Sequence, residues 1–469
     1  MVKPEERELA RVSVPEVAST ALKRIVEERL APGARITERW VVDVSGVTHS
    51  QARETLHHLD KAGAVVLSAR RGATLVRHEN VAPSDVRPIW LALLELAGRQ
   101  ALKAPNRSPS PPTAVAGHDL WGQFLGLQTQ IDALGYASGN YRLHQRLRRL
   151  AIQAIVGWGK VEPIDPKAVE QYVQMILRAK FDEAALQATF ASVPQRLPAR
   201  REAINLPSAS PVAITDAGRT ARAARAYLHG VGARLESVRD AAPSTTEQLV
   251  AAIRQRIQFG ELLPGDPIRE LPLAEQYGIS RGPVRDALRA LDRHGLVSIE
   301  GRRGAFVRRL LPDDIANLFA IRAAVSGVQM SEAATAPDRP LWIDDALRKG
   351  AKLLDEIARD EKSPLGNYVV VRRALALVTL AAGGNIAVGR LAAELEGEVS
   401  ILWATVFDKS RQIASARRWH YIVESIIARD ADGAREHGRR IVEEAAAEAL
   451  RAATRSDRPT FAAEGGAPA

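Results

Sequence analysis

The residues best suited to chemistry in this chain are arginines, placed at a helix start and between glycines. Ser280-Arg281-Gly282-Pro283-Val284-Arg285 opens a stretch in which Val284, Ala287, Leu288 and Leu291 recur at helical spacing. A helix with that stripe buried presents Ser280, Arg281 and Arg285 on its outer face at the N-terminal end, where free backbone N–H groups favour a phosphate. The planar arginine fork can also bond guanine O6 and N7 bidentately in a major groove. Downstream, Gly301-Arg302-Arg303-Gly304 separates two β-prone runs, Leu296–Ile299 and Ala305–Arg308. That is the pattern of a hairpin with a basic tip, suited to the minor groove or to phosphates.

The elements that must position these residues are marked by caps and breakers. Ser244 and Glu247 have capping-box spacing ahead of Leu249, Val250, Ile253 and Ile257, which predicts a helix from 245 to Phe259 ended by Gly260. Pro264-Gly265 turns the chain, a second helix fits Leu271–Tyr277 before Gly278, and Ser280 is placed to cap a third over Arg281–His294. Pro283 falls in that third helix's first turn, where its missing N–H is tolerated. Three helices and a basic hairpin are the layout of a winged helix-turn-helix.

The same layout occurs earlier. Pro32–Ala73 set over Pro264–Ala305, at an offset of 232 and without a gap, shares 15 of 42 positions, including Gly46/Gly278, Arg53/Arg285 and the run Arg70-Arg71-Gly72-Ala73. A weaker echo continues at Gly139-Asn140-Tyr141 and Gly366-Asn367-Tyr368. The expected organisation is mainly α: winged helix-turn-helix domains at 12–78 (degenerate) and 244–310, each followed by a helical domain, at 82–200 and 312–453. A linker and connecting helix occupy 201–240, and a disordered tail 454–469. A breaker-rich segment at 103–117 interrupts the first helical module, and Ser192–Pro211, rich in Pro, Ser and Arg, reads as linker between the halves.

The second copy resembles the DNA-binding domain of the GntR family of bacterial transcription regulators, on PGDPIRELPLAEQYGISRGPVRDALRALDRHGLV and GRRGAFV. The helical run after Asp313-Asp314-Ile looks like the FCD effector domain of the FadR-like subfamily. The resemblance implies a double-stranded DNA operator contacted through Ser280, Arg281, Gly282, Pro283, Arg285 and the wing residues Arg302, Arg303 and Gly304. It also implies homodimers, a small effector, often a carboxylate, and repression as the usual mode. In the first copy Thr48-His49-Ser50-Gln51-Ala52-Arg53 keeps the second arginine and loses the first. That module either reads a different half-site or has drifted toward a structural role. Thr48, Arg53, Arg70, Arg71 and Gly72 are its candidate contacts.

Many members of the resembled family hold a divalent metal with Asp-x3-His and two further histidines. Here Tyr368, Arg372, Trp419 and Ile441 fall at those positions in the second half. In the first half His144 is kept, Asn140 replaces the Asp, and no further histidine occurs before His229. No metal or other cofactor is expected in either half. Arg372 and Arg373 offer instead a guanidinium grip on a carboxylate, with Trp419 and His144 as further effector-binding candidates, against the alternative of arginines on an ordinary helix surface.

Composition agrees with nucleic acid as partner. Lys and Arg number 65 against 55 Asp and Glu, a net charge of +10. Ten Lys and Arg face seven acids in 12–78, and eleven face eight in 244–309, so six of the excess charges lie in the two winged modules. Zero cysteines exclude disulfides, thiolate metal sites and a cysteine nucleophile. No phosphate-cradling glycine motif or Ser-His-Asp set suggests an enzyme. The first thirty residues lack a secretory h-region, and Val369–Ala382 is interrupted by Arg372 and Arg373 and too short to span a bilayer, so a cytoplasmic protein without membrane contact is expected. Three readings follow: a regulator acting as an internal pseudo-dimer, a regulator whose first half is only a structural or dimerisation module, and a structural or ligand-binding protein.

Overall fold

The computed structural model describes residues 12–68, 72–77, 81, 83–103, 119–158, 169–171, 173–174, 218–235, 244–258, 260–300, 303–337 and 339–456. The chain divides into two compact units, Met1–Glu202 and Ala203–Ala469.

In the first unit, α1 (Val14–Glu27) leads to β1 (Arg35–Ile36), α2 (Glu38–Ser45), α3 (His49–Ala62), β2 (Val65–Ser68) and β3 (Gly72–Leu75). The sheet order is β1-β3-β2, antiparallel throughout, with Arg35 opposite Thr74 and Val65 opposite Leu75. The stripe Val17, Ala21, Leu22 and Ile25 of α1 is buried, as are Leu56 and Leu59 of α3 and Leu75 of the sheet. Removing stripes of this kind from water is the main favourable term holding so small a module together. Three longer helices follow, α4 (Pro83–Lys103), α5 (Leu120–Ser138) and α6 (Tyr141–Trp158), packed on one another.

The second unit begins with α7 (Arg219–Leu235) and continues through α8 (Thr245–Gln258), β4 (Pro267–Ile268), α9 (Glu270–Tyr277), α10 (Arg281–Arg293), β5 (Val297–Glu300) and β6 (Gly304–Val307). Its sheet, β4-β6-β5, pairs Pro267 with Phe306 and Val297 with Val307. Adding 232 to each pair of the first sheet gives the pairs of the second. The helix boundaries match the sequence expectations to within a residue or so, because caps and glycines act locally. The short strands β1 and β4 were not foreseen: two residues carry no alternation to read.

A helical bundle completes this unit: α11 (Pro312–Thr335), α12 (Leu341–Arg359), α13 (Leu365–Gly383), α14 (Ile386–Val399), a 3-10 turn at Ser400–Leu402, α15 (Trp403–Val406), α16 (Lys409–Ile427) and α17 (Ala431–Ser456). The longest contact runs between α11 and α17.

The connecting helix α7 packs on α12 and α13, with Tyr227 donating to the Ala346 carbonyl at 3.1 Å and Thr220 to Asp360 at 3.0 Å. Two expectations need correction. The tail does not begin at 454, because α17 carries helix through Ser456; residues 457–469 and the segment 192–211 lie outside the described residues. Finally, α13 extends the apolar stretch to 19 residues, which by length and composition could cross a membrane. It is a core helix of the bundle, 67% buried over that window.

Candidate nucleic-acid interface

The outer face of α10 carries the residues expected to meet DNA. Val284, Ala287, Leu288 and Leu291 are buried against Leu249, Ile253 and Ile257 of α8, so Ser280, Arg281 and Arg285 are turned to solvent. The turn between α9 and α10 requires Gly278, whose φ of +61° would strain an L side chain. Ser280 has N-cap geometry, but its side chain makes no capping bond, contrary to the sequence expectation. The reason lies three residues on: the N3 position is Pro283, which has no N–H to donate. The Ser280 hydroxyl is thereby left available to a ligand.

Arg285 is held by an acid. Its Nε donates to Glu270 Oε2 at 2.8 Å, from the start of α9 to the second turn of α10. The first unit repeats this bond: Arg53 Nε donates to Glu38 Oε1 at 2.8 Å, and the same carboxylate lies 4.0 Å from His49 Nδ1. That bond raises the Arg53 pKa and lowers the Glu38 pKa from their ordinary values. The two acids are identical positions of the repeat, yet the sequence reading passed over them, since a pair fifteen residues apart across two helices has no periodic signature.

The wing residues are only partly within view. Arg303 is 77% exposed, donates to Glu300 at 2.8 Å and lies over the Phe306 ring at 5.6 Å. Gly304 turns the hairpin at φ +95°, as Gly72 does at +72° in the first unit. Arg302, Arg70 and Arg71 lie outside the described residues. In the first unit Thr48 differs from Ser280: it caps α3 through the Gln51 N–H at 3.3 Å, and Gln51 accepts from the Thr48 N–H at 3.2 Å.

Residues 245–307 match the family model of bacterial regulatory proteins of the gntR family. These residues form a GntR-family domain. Among similar curated proteins, the uncharacterized HTH-type transcriptional regulator YdhC of Bacillus subtilis is 33% identical over 120 residues, 26% of this chain and 50% of that protein. A probable D-xylose utilization operon transcriptional repressor of Paenarthrobacter nicotinovorans is 38% identical over 76 residues, 16% of this chain and 34% of that protein. The chain thus spans half or less of the length of these relatives. Among solved structures, E. coli McbR/YncC aligns over 99% of its chain and 45% of this one, at 17% identity and a TM-score of 0.40.

Behind the GntR-family domain, the helical bundle holds a cavity of about 120 Å³. Arg372, Arg373 and Trp419, three of the four effector-binding candidates, all line it, as does Ile441. The fourth, His144, is in the first unit, buried, with Nε2 2.7 Å from Asp132 Oδ1. Arg372 is not on an ordinary helix surface: only 6% exposed, it lies 4.8 Å from the Trp403 ring centroid and pairs with Glu396, which also pairs with Arg322. Burial alone would raise the Glu396 carboxyl, but the adjoining Arg322 and Arg372 pull it down to about 2. Burial lowers the pKa of Arg322 and Arg373 and raises that of Tyr368 to about 12. A phenol, a guanidinium, an indole and an aliphatic chain (Tyr368, Arg372, Trp419 and Ile441) at the metal positions of the resembled family do not make the His and carboxylate set a divalent cation needs. Among the described residues, no group of three or more His, Asp and Glu is placed to hold one.

Proposed function

We propose that the chain is a sequence-specific DNA-binding transcription regulator of the GntR type, with repression as its mode, whose bundle senses a small carboxylate-bearing effector without a resident metal or cofactor. The observation that carries the reading is the outer face of α10, where Ser280, Arg281 and Arg285 stand together at a helix N-terminus beside a wing bearing Arg303, within residues that match the gntR family. In this reading Arg285 contacts a base, and Arg281, Gly282, Pro283 and the wing residues Arg302, Arg303 and Gly304 fix register on phosphates and the minor groove. The chain acts in the cytoplasm on duplex DNA, and its role is binding rather than catalysis.

The common register of the two sheets supports a tandem duplication, two winged helix-turn-helix domains each followed by an FCD-like helical domain. Such a chain supplies both halves of a dimer and binds an asymmetric operator as an internal pseudo-dimer, through Thr48, Arg53, Arg70, Arg71 and Gly72 in the first half. A second reading leaves the first half structural; it is favoured by the capping box that ties up the Thr48 hydroxyl and by His49 in the place of Arg281.

Retention on duplex DNA between about 50 and 200 mM salt tests the regulator reading, because counterion release makes phosphate contacts steeply salt-dependent. A flat profile overturns it. A light-scattering mass of one chain on one DNA supports the pseudo-dimer, and a mass of two chains on one DNA overturns it in favour of a homodimer.

A further inference from the structure

The cavity in the bundle is walled partly by the DNA-binding domain itself. Arg254 and Gln258, on α8 of the GntR-family domain, line it together with Arg322, Arg372 and Arg373 of the bundle. The reverse contact also exists: Ile401, from the 3-10 turn one helical turn beyond Glu396, is 5% exposed inside the winged-helix core with Ile253, Ile257 and Leu296. The winged helix therefore supplies part of the cavity wall, and the bundle supplies one residue of the winged-helix core.

The wall chemistry is one-sided. Five guanidinium groups line it, those of Arg254, Arg322, Arg372, Arg373 and Arg411, and Glu396 is its only carboxylate among the described residues. Glu444 reaches Arg411 at 3.0 Å. The lining residues with buried polar atoms that lack a hydrogen-bond partner among the described residues are all donors there: Arg254 Nε, Arg372 Nε, Arg411 Nε and Trp419 Nε1. Buried donors of this kind cost free energy unless an acceptor meets them. Burial, and after it repulsion from Arg373, lowers the Arg254 pKa. Gln258, Ser326, Gln329 and Ser415 add neutral polar groups, and Val325, Met330, Leu377 and Leu380 an apolar part of the wall.

We propose that a small dianionic ligand, a dicarboxylate or a phosphate monoester, binds in this cavity and is gripped from both sides, by Arg372 and Arg373 of the bundle and by Arg254 of the winged helix. The ligand then ties α8 directly to the bundle, and Arg254 is the residue through which its binding alters the DNA-binding domain. This inference rests on the reading of the cavity as the effector site.

Calorimetry and amide hydrogen exchange on the full chain test it, with succinate and inorganic phosphate as probes. At least one probe binds the unmodified chain and slows exchange in both α13 and α8; succinate alone assigns a dicarboxylate, phosphate alone a phosphate ester. Arg254→Gln weakens binding by about tenfold or more, as loss of a charged hydrogen bond should, and abolishes the slowing in α8 while leaving it in α13. Arg254→Lys keeps the charge and binds at an intermediate level, which guards against a folding defect in the glutamine variant. If Arg372→Gln loses binding while Arg254→Gln binds as the unmodified chain does, or if the bound probe leaves α8 exchange in the unmodified chain unchanged, the effector site stands and the junction proposal falls. If neither probe binds, or Arg372→Gln binds as the unmodified chain does, the effector-site reading falls and takes the proposal with it.

Discussion

The two three-helix modules share their strand register residue for residue, and one of their differences falls at the start of the third helix. In the first, Thr48 and Gln51 satisfy each other's backbone donors, so the helix start is closed by its own side chains. In the second, Pro283 removes the donor that Ser280 would bond, and the hydroxyl is left facing solvent beside Arg281. One module spends its polar groups on the helix; the other leaves them for a partner. The shared Glu–Arg pairs, Glu38–Arg53 and Glu270–Arg285, belong to the scaffold common to both, and each ties an arginine of the third helix to the start of the second.

The helical parts differ more strongly, and the largest expected effect lies there. In the second unit Glu396 is the counter-charge to two arginines, Arg322 and Arg372, whose side chains are mostly buried. Glu396→Gln strands both cations and should cost roughly 3–5 kcal/mol of stability, read as a lowered denaturation midpoint of the second unit. Asp132→Asn, which removes the partner of His144 in the first unit, touches a carboxylate that is 32% exposed and should cost much less. The pH dependence has a definite sign. The folded-state pKa of Glu396 is depressed from 4.5 to about 2, so its contribution is complete above about pH 4.5 and is lost as pH falls toward 2. An acid titration of unfolding should show that loss in the unmodified chain and not in Glu396→Gln.

On DNA, Arg285→Ala should weaken specific binding by about 1–3 kcal/mol if the residue contacts a base, measured by competition against unrelated duplex. The same change at Arg53 sharpens the comparison. A loss of similar size makes the first module a reader; unchanged affinity and sequence preference make it a scaffold.

What the sequence disclosed and what it withheld follow from how far each interaction reaches along the chain. Caps, turn glycines and the buried stripe of α10 act over three or four residues, and the helices of the second module came out almost as read. The 232-residue repeat was legible because glycines and arginines recur without a gap. Arg372, Arg373 and Trp419 were singled out through resemblance, and they do share a cavity. Glu396, Arg322 and Arg254, which complete that cavity, come from three other helices and have no spacing that announces them. Ser280 was misjudged as a side-chain cap because the preference of serine for that position was applied without asking whether the residue three positions on had an N–H to give.

That last point yields the smallest prediction and the most direct test of the comparison. Pro283→Gln restores an N–H at the third position of α10 and supplies a side chain able to bond back to Ser280, which recreates the arrangement of Thr48 and Gln51. The second module should gain about 1 kcal/mol of stability, the usual worth of an N-cap, seen as a raised melting temperature. Its DNA affinity should fall at the same time, because the Ser280 hydroxyl is drawn into the cap. The converse change, Gln51→Pro, should destabilise the first module by a similar amount and free Thr48. If Pro283→Gln stabilises the module and leaves DNA binding unchanged, the Ser280 hydroxyl is not a contact, and the difference between the two helix starts concerns folding alone.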